Sequence, residues 1–179
     1  MPFVIAAVVI VGVISIVDLL LTYGVVRRLR EHTRQLTALG AGATASLMAA
    51  KGSAIGEFSA ADTTSAALSR ATFTRSTLVG FFTPGCTPCE ALLPRFVSAA
   101  RRWRDSSRPV LAIVAPGAGD DAYAEHLASV ARVVVGEHAN TVAAAFEVRG
   151  FPVVCLVNDG GVVVDDKVDV DRLADPVRR

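Results

Sequence analysis

The 179-residue sequence is short of lysine, aromatic residues and cysteine: of 18 basic residues only Lys51 and Lys167 are lysines, aromatics make up 6%, and there are three cysteines. The net charge is +1, with acids and bases spread along the chain, which excludes an electrostatic nucleic-acid binder. Only one Cys-x-x-Cys is present. Cys155 and the scattered His32, His126 and His138 do not complete the four-ligand set of a structural zinc site. No metal and no organic cofactor are expected. There is no internal repeat, and the composition is not that of a disordered or collagen-like chain.

Apolar residues, by contrast, are in excess at 52%, too many for a wholly soluble chain. The excess is concentrated in Phe3 to Val26, 24 residues with Asp18 as their one charge. At ~1.5 Å per residue this run reaches ~36 Å, enough to cross a hydrocarbon core of ~30 Å. It is longer than a signal-peptide core and has no basic residue before it, so residues 1–26 read as an uncleaved transmembrane helix in contact with lipid. Asp18 lies about eight residues from the basic end, where it can stay protonated, lean toward the interface or bond a neighbouring helix.

Residues 27–56 change character. Val25, Leu29, Leu36 and Leu39 fall near heptad spacing among Arg27, Arg28, Arg30 and Arg34, which reads as a juxtamembrane helix. Gly40 to Gly56 is rich in Gly, Ala and Ser, with Lys51 its only charge, and reads as a linker. Residues 57–179 are then long enough for one small globular domain. Within it Thr77–Thr83, Pro109–Ala115, Arg132–Val135, Val153–Val157 and Val162–Asp165 read as strands, the last following an Asn158-Asp159-Gly160-Gly161 turn. Cys86–Trp103, Asp120–Val130 and His138–Phe146 carry helical spacing. Strand–helix alternation closed by a hairpin predicts an α/β fold with a mixed sheet.

Chemistry concentrates at Cys86-Thr87-Pro88-Cys89, where a strand ends and a helix begins. The unpaired N–H groups of a helix start favour a thiolate at Cys86, and a thiolate attacks disulfides where a thiol scarcely does. Cys89, one turn on, is placed to displace a bound substrate as the resolving thiol. Pro88 suits the first turn, which has no use for its missing donor. Cys155, inside the run VVCLV, reads as a small buried hydrophobe, and the histidines have no motif around them.

The segment FFTPGCTPCEALLPRF, with Pro152 of VRGFPVVCLVNDGGVV following 63 residues after Cys89, resembles the thioredoxin superfamily. The resemblance covers Glu57 to the C-terminus. It implies a thioredoxin-like fold, catalysis by Cys86 and Cys89, and a helix carrying Pro94 five residues after the second cysteine. It also implies a cis peptide bond before Pro152, which would turn the Phe151 backbone toward the sulfurs for pairing with a substrate strand. With the anchor, the whole is similar to membrane-tethered bacterial thioredoxins of the TlpA-like and MauD-like kind. That implies partners in client proteins with cysteines or disulfides and in a thiol electron donor, which a membrane protein would suit.

Several residues depart from the pattern. No tryptophan precedes Cys86, Glu90 stands where a basic residue is common, and Gly80 occupies the place of a buried acid that relays protons. Glu90 reads as a solvated first-turn residue favoured by the helix dipole. Thr83-Pro84-Gly85-Cys86 is also similar to the peroxidatic segment of bacterioferritin-comigratory-type peroxiredoxins, although Val79 replaces that family's proline. A thiol peroxidase with Cys89 as resolver is therefore one alternative, and a redox-inactive docking module on the same fold is another. The arginines after the anchor favour a cytoplasmic domain, whereas the resemblance favours an extracytoplasmic one, and the latter is the expectation adopted.

Overall fold

The computed structural model describes residues 46–173 together with Gly12. The expected transmembrane helix, Asp18 and the arginine-flanked helix lie outside the described residues. Among the described residues no helix is long and apolar enough to cross a membrane. The chain divides into units at Ala45 and Ser46, and the second unit contains the fold that follows.

A five-stranded mixed sheet forms its centre, built from β3 (Thr77–Phe82), β4 (Val110–Val114), β5 (Arg132–Val134), β6 (Val153–Val157) and β7 (Val163–Asp165) in the order β5-β4-β3-β6-β7. Strands β3, β4 and β5 are parallel, while β6 runs antiparallel to β3 and β7 antiparallel to β6. Helices α1 (Thr87–Asp105), α2 (Asp120–Ala128) and α3 (Gly136–Ala145) connect the strands, and a short α4 (Val170–Leu173) follows β7.

All six residues of β3 are buried, because side chains alternating across a central strand meet a core on both faces. Val79 and Phe81 point to one core, with Phe146, Ile113 and Cys155. Leu78 and Phe82 point to the other, with Phe96, Ala99 and Val114. Helix α1 supplies that second core from one stripe, Cys89, Phe96, Val97, Ala99 and Ala100, and places Glu90 in its first turn and Arg102 and Arg104 in its last, matching its dipole. An Arg95–Asp171 ion pair fastens α4 to α1.

The expected strands and helices are present, with ends shifted by a few residues. Two features differ from the expectation. Residues 46–56 are not a linker: Met48 and Ile55 are 2% and 1% exposed, the Ala49 N–H donates to the Phe146 carbonyl (2.9 Å), and the folded unit begins at Ser46 rather than Glu57. A small antiparallel hairpin, β1 (Ser59–Ala61) with β2 (Ala67–Ser69), precedes the main sheet. Its turn is organised by Asp62, which accepts from Thr64 N–H (2.9 Å), Thr64 Oγ1 (2.7 Å) and Ala66 N–H (3.0 Å) and reaches across to Arg132 Nε (2.8 Å) at the start of β5.

Candidate active site

The carboxyl end of β3 delivers the dithiol. Phe82 ends the strand, Gly85 adopts a left-handed φ of 72° that a side chain would resist, and Cys86 becomes the N-cap of α1. Its extended backbone turns the sulfur over the helix start, where the Cys89 N–H donates to Cys86 Sγ at 3.3 Å. The cysteine thus fills the capping role usually taken by a hydroxyl or carboxylate, and the donor aimed at the sulfur stabilises charge that forms there. Pro88 lies in the first turn, as expected. Pro94 sits inside α1 on its exposed side, and its carbonyl accepts from Ser98 Oγ (3.0 Å).

The two sulfurs have unlike surroundings. Cys86 is half-buried and can be approached, while Cys89 is fully buried. Burial, reinforced by the neighbouring Cys86, pushes the Cys89 thiol up to about 11, with a backbone hydrogen bond from Thr83 acting in the opposite direction. Both cysteines are free thiols. An accessible attacker with a protected partner one turn away can form a bond to an outside sulfur and then be released from it.

Across from the dithiol, the Phe151–Pro152 peptide bond is cis, as expected. The Phe151 carbonyl oxygen lies 3.9 Å from Cys86 Sγ, so a backbone edge borders the more accessible sulfur. The loop is braced by the segment taken for a linker: Arg149 N–H donates to the Leu47 carbonyl (2.7 Å), and the Leu47 side chain lies over Gly150. That brace was not foreseen, because a Gly/Ala-rich stretch carries no pattern that marks docking.

The remaining candidates fall away from the site. Cys155 lies in β6 opposite Val79, and burial raises its thiol, so it is core as expected. His126 and His138 are exposed, and among the described residues no cluster of His, Cys, Asp and Glu is arranged to hold a metal. Glu90 is exposed on the first turn of α1, as expected.

The Gly80 departure acquires a steric reason. A Cβ there would stand 2.7 Å from Phe96 Cε2 and 2.8 Å from Phe82 Cε2. Those rings pack edge to face with centroids 5.1 Å apart, filling the space an acid would need. Near this site, sequence reasoning also missed Tyr123, on the first turn of α2. It packs against the core that contains Cys89, and its hydroxyl has no hydrogen-bond partner among the described residues. Nothing in its local sequence marks it, since only the topology brings it there.

These elements define a thioredoxin-like fold with a dithiol at the start of its long helix. Solved structures that share the fold include the thioredoxin domain of a thiol-disulfide oxidoreductase from Bacteroides vulgatus, at 21% identity and TM-score 0.58, covering 70% of this chain and 94% of that one. A thio-disulfide isomerase from Thermus thermophilus matches at 21% identity and TM-score 0.54, covering 70% and 92%. A secreted Mycobacterium tuberculosis disulfide oxidoreductase homologous to DsbE matches at 17% and TM-score 0.51, covering 65% and 91%. No protein-family model and no curated protein matches the sequence.

Proposed function

We propose that the protein is a membrane-anchored thiol-disulfide oxidoreductase that reduces or exchanges disulfides of client proteins through Cys86 and Cys89. The observation that carries this reading is the pairing of a half-buried Cys86 sulfur with the N–H of a fully buried Cys89 at 3.3 Å. The named activities of proteins sharing the fold support it.

In the reaction, the Cys86 thiolate attacks one sulfur of a client disulfide. The client S–S bond breaks, a mixed disulfide forms, and the departing client sulfur takes up a proton. Cys89 then loses its proton and attacks Cys86 Sγ, breaking the mixed disulfide. The client leaves as a dithiol carrying two electrons, and Cys86 and Cys89 remain as a disulfide that an external thiol donor reduces. The Phe151 carbonyl beside Cys86 gives a client strand a main-chain partner, so recognition is partly independent of client sequence.

The apolar run Phe3 to Val26 supports the anchor, and the secreted relative of the fold supports an extracytoplasmic domain. There, clients and a membrane-borne electron donor would both be within reach. The test is turnover of a protein disulfide by the purified chain under a thiol donor, compared with hydrogen peroxide as oxidant. The reading expects disulfide turnover that Cys86→Ser abolishes. Consumption of peroxide in preference to disulfide would replace it with the peroxidase reading.

A further inference from the structure

Among the described residues, two buried side-chain oxygens lack a hydrogen-bond partner, Ser46 Oγ and Tyr123 Oη. Buried polar atoms are nearly always paired, so an exception beside a reactive group calls for a reason. The loop from β4 into α2 is held against the segment leading to Cys86. The Ala115 N–H donates to the Phe82 carbonyl (2.9 Å), and Gly117 rests on Pro84, where its Cβ would meet the ring at 3.5 Å. Tyr123, in the next turn, packs on the core that includes Cys89 and that Cys86 borders.

The phenol is kept protonated there. Burial raises its titration, and charge on Glu90, Cys89 and Cys86 raises it further, so it remains an O–H donor at neutral pH. Glu90 is exposed to solvent, whereas Cys89 is sealed from it and must ionise to finish the exchange. Gly80 supplies no acid to assist.

We propose that the Tyr123 hydroxyl donates a hydrogen bond to the Cys89 sulfur as that sulfur ionises in the resolving step. The role rests on the dithiol-exchange reading above. The proton that Cys89 gives up is balanced by the one the departing client sulfur takes up, and Tyr123 keeps its own. The Cys89 thiolate forms the bond to Cys86 Sγ, and the client sulfur leaves with the electron pair of the broken bond and takes up a proton. A donor that is idle in the resting dithiol and engaged once charge forms stabilises the reacting state more than the ground state. Tyr123 thus acts on the reacting sulfur of one step, and its signature is a selective loss in that step.

The experiment mixes the reduced protein with one equivalent of a chromogenic aryl disulfide in a stopped-flow instrument. Attack by Cys86 releases one aryl thiolate and resolution by Cys89 releases the second. Cys89→Ser, which releases only the first, identifies the phases. Tyr123→Phe keeps the ring and its packing, and a thermal melt confirms that it is folded. The expected result is an unchanged first phase and a second phase slowed about tenfold, the scale of a lost hydrogen bond to a charged group. A second phase at wild-type speed, or both phases slowed by one common factor, overturns the role. A wild type that stops after one equivalent overturns the dithiol reading itself, and this role with it.

Discussion

The edge of the Phe96 ring occupies the space that a side chain on Gly80 would need, with 2.7 Å between Phe96 Cε2 and the nearest Cβ position. A residue six places before the first active-site cysteine is thereby fixed by core packing rather than by proton chemistry. Restoring an acid will not restore a relay. Gly80→Ala recovers ~0.4–1 kcal/mol of unfolded-chain entropy but incurs ~1–3 kcal/mol of overpacking, so it lowers stability, and Gly80→Asp adds a buried charge and lowers it more. Urea unfolding checks the order wild type, Gly80→Ala, Gly80→Asp, and turnover in the folded Gly80→Asp is expected not to exceed wild type.

Burial, with the neighbouring Cys86, pushes the Cys89 thiol of the free dithiol up to about 11, well above the physiological range, so the second half of the proposed exchange depends on its small ionised fraction. The resolving phase should therefore accelerate about tenfold per pH unit from neutrality and level off below 11, because in the mixed disulfide Cys86 carries no charge and only burial still raises the Cys89 thiol. Stopped-flow measurements of the second thiolate release at a series of pH values give the slope. A flat profile would show that Cys89 is already ionised at neutrality.

Asp62 ties the small hairpin to the main sheet. Its burial alone would raise its titration, but hydrogen bonds from Thr64, Arg132 and the Ala66 backbone hold it at about 2, against an ordinary 3.8. A depressed carboxylate stabilises the fold above the unfolded value and loses that contribution as pH falls through the folded one. The stabilisation, roughly 2 kcal/mol, is complete above about pH 4 and disappears on descending through 2. Arg132 is 42% exposed, so most of this comes from hydrogen bonds to the sealed carboxylate rather than from the ion pair. Asp62→Asn should lower the melting temperature at neutral pH, and the gap to wild type should narrow below pH 4. Calorimetry at both pH values measures it.

Ile55 is 1% exposed in the core around Phe146 and Phe73, although it lies in a stretch with a linker's composition. Ile55→Ala should cost ~2–5 kcal/mol, and a chain beginning at Glu57 should lose stability further by removing Met48 and the Leu47 brace on the Arg149–Pro152 loop. Denaturant midpoints of the two variants check the order.

Much of this was legible from the residues. The valine-rich runs of β3, β4 and β6 are buried on both faces, which is what continuous apolar stretches of that length signal. The order of Cys86, Cys89, Pro94 and Phe151-Pro152 pointed to the dithiol and the cis bond that the fold brings together. What stayed hidden arises from contacts between distant segments. Strands β1 and β2, Ser59–Ala61 and Ala67–Ser69, are three residues of mostly small side chains, too short to show a period. Residues 46–56 read as a linker because only three of their apolar side chains, Met48, Ala49 and Ile55, are buried. Tyr123 joins the core that contains Cys89 only because β3 and β4 are parallel neighbours that end together at Phe82 and Val114.

In the proposed exchange Cys86 alone makes the bond to a client and Cys89 alone breaks it. The direct measurement is covalent trapping: express the full-length Cys89→Ser variant in cells, quench with acid, and resolve mixed disulfides on non-reducing gels with mass spectrometry of the joined peptides. The expected result is adducts linked through Cys86 that reductant releases, absent from Cys86→Ser and scarce in wild type. Adducts through Cys155, or none with Cys89→Ser, would contradict it.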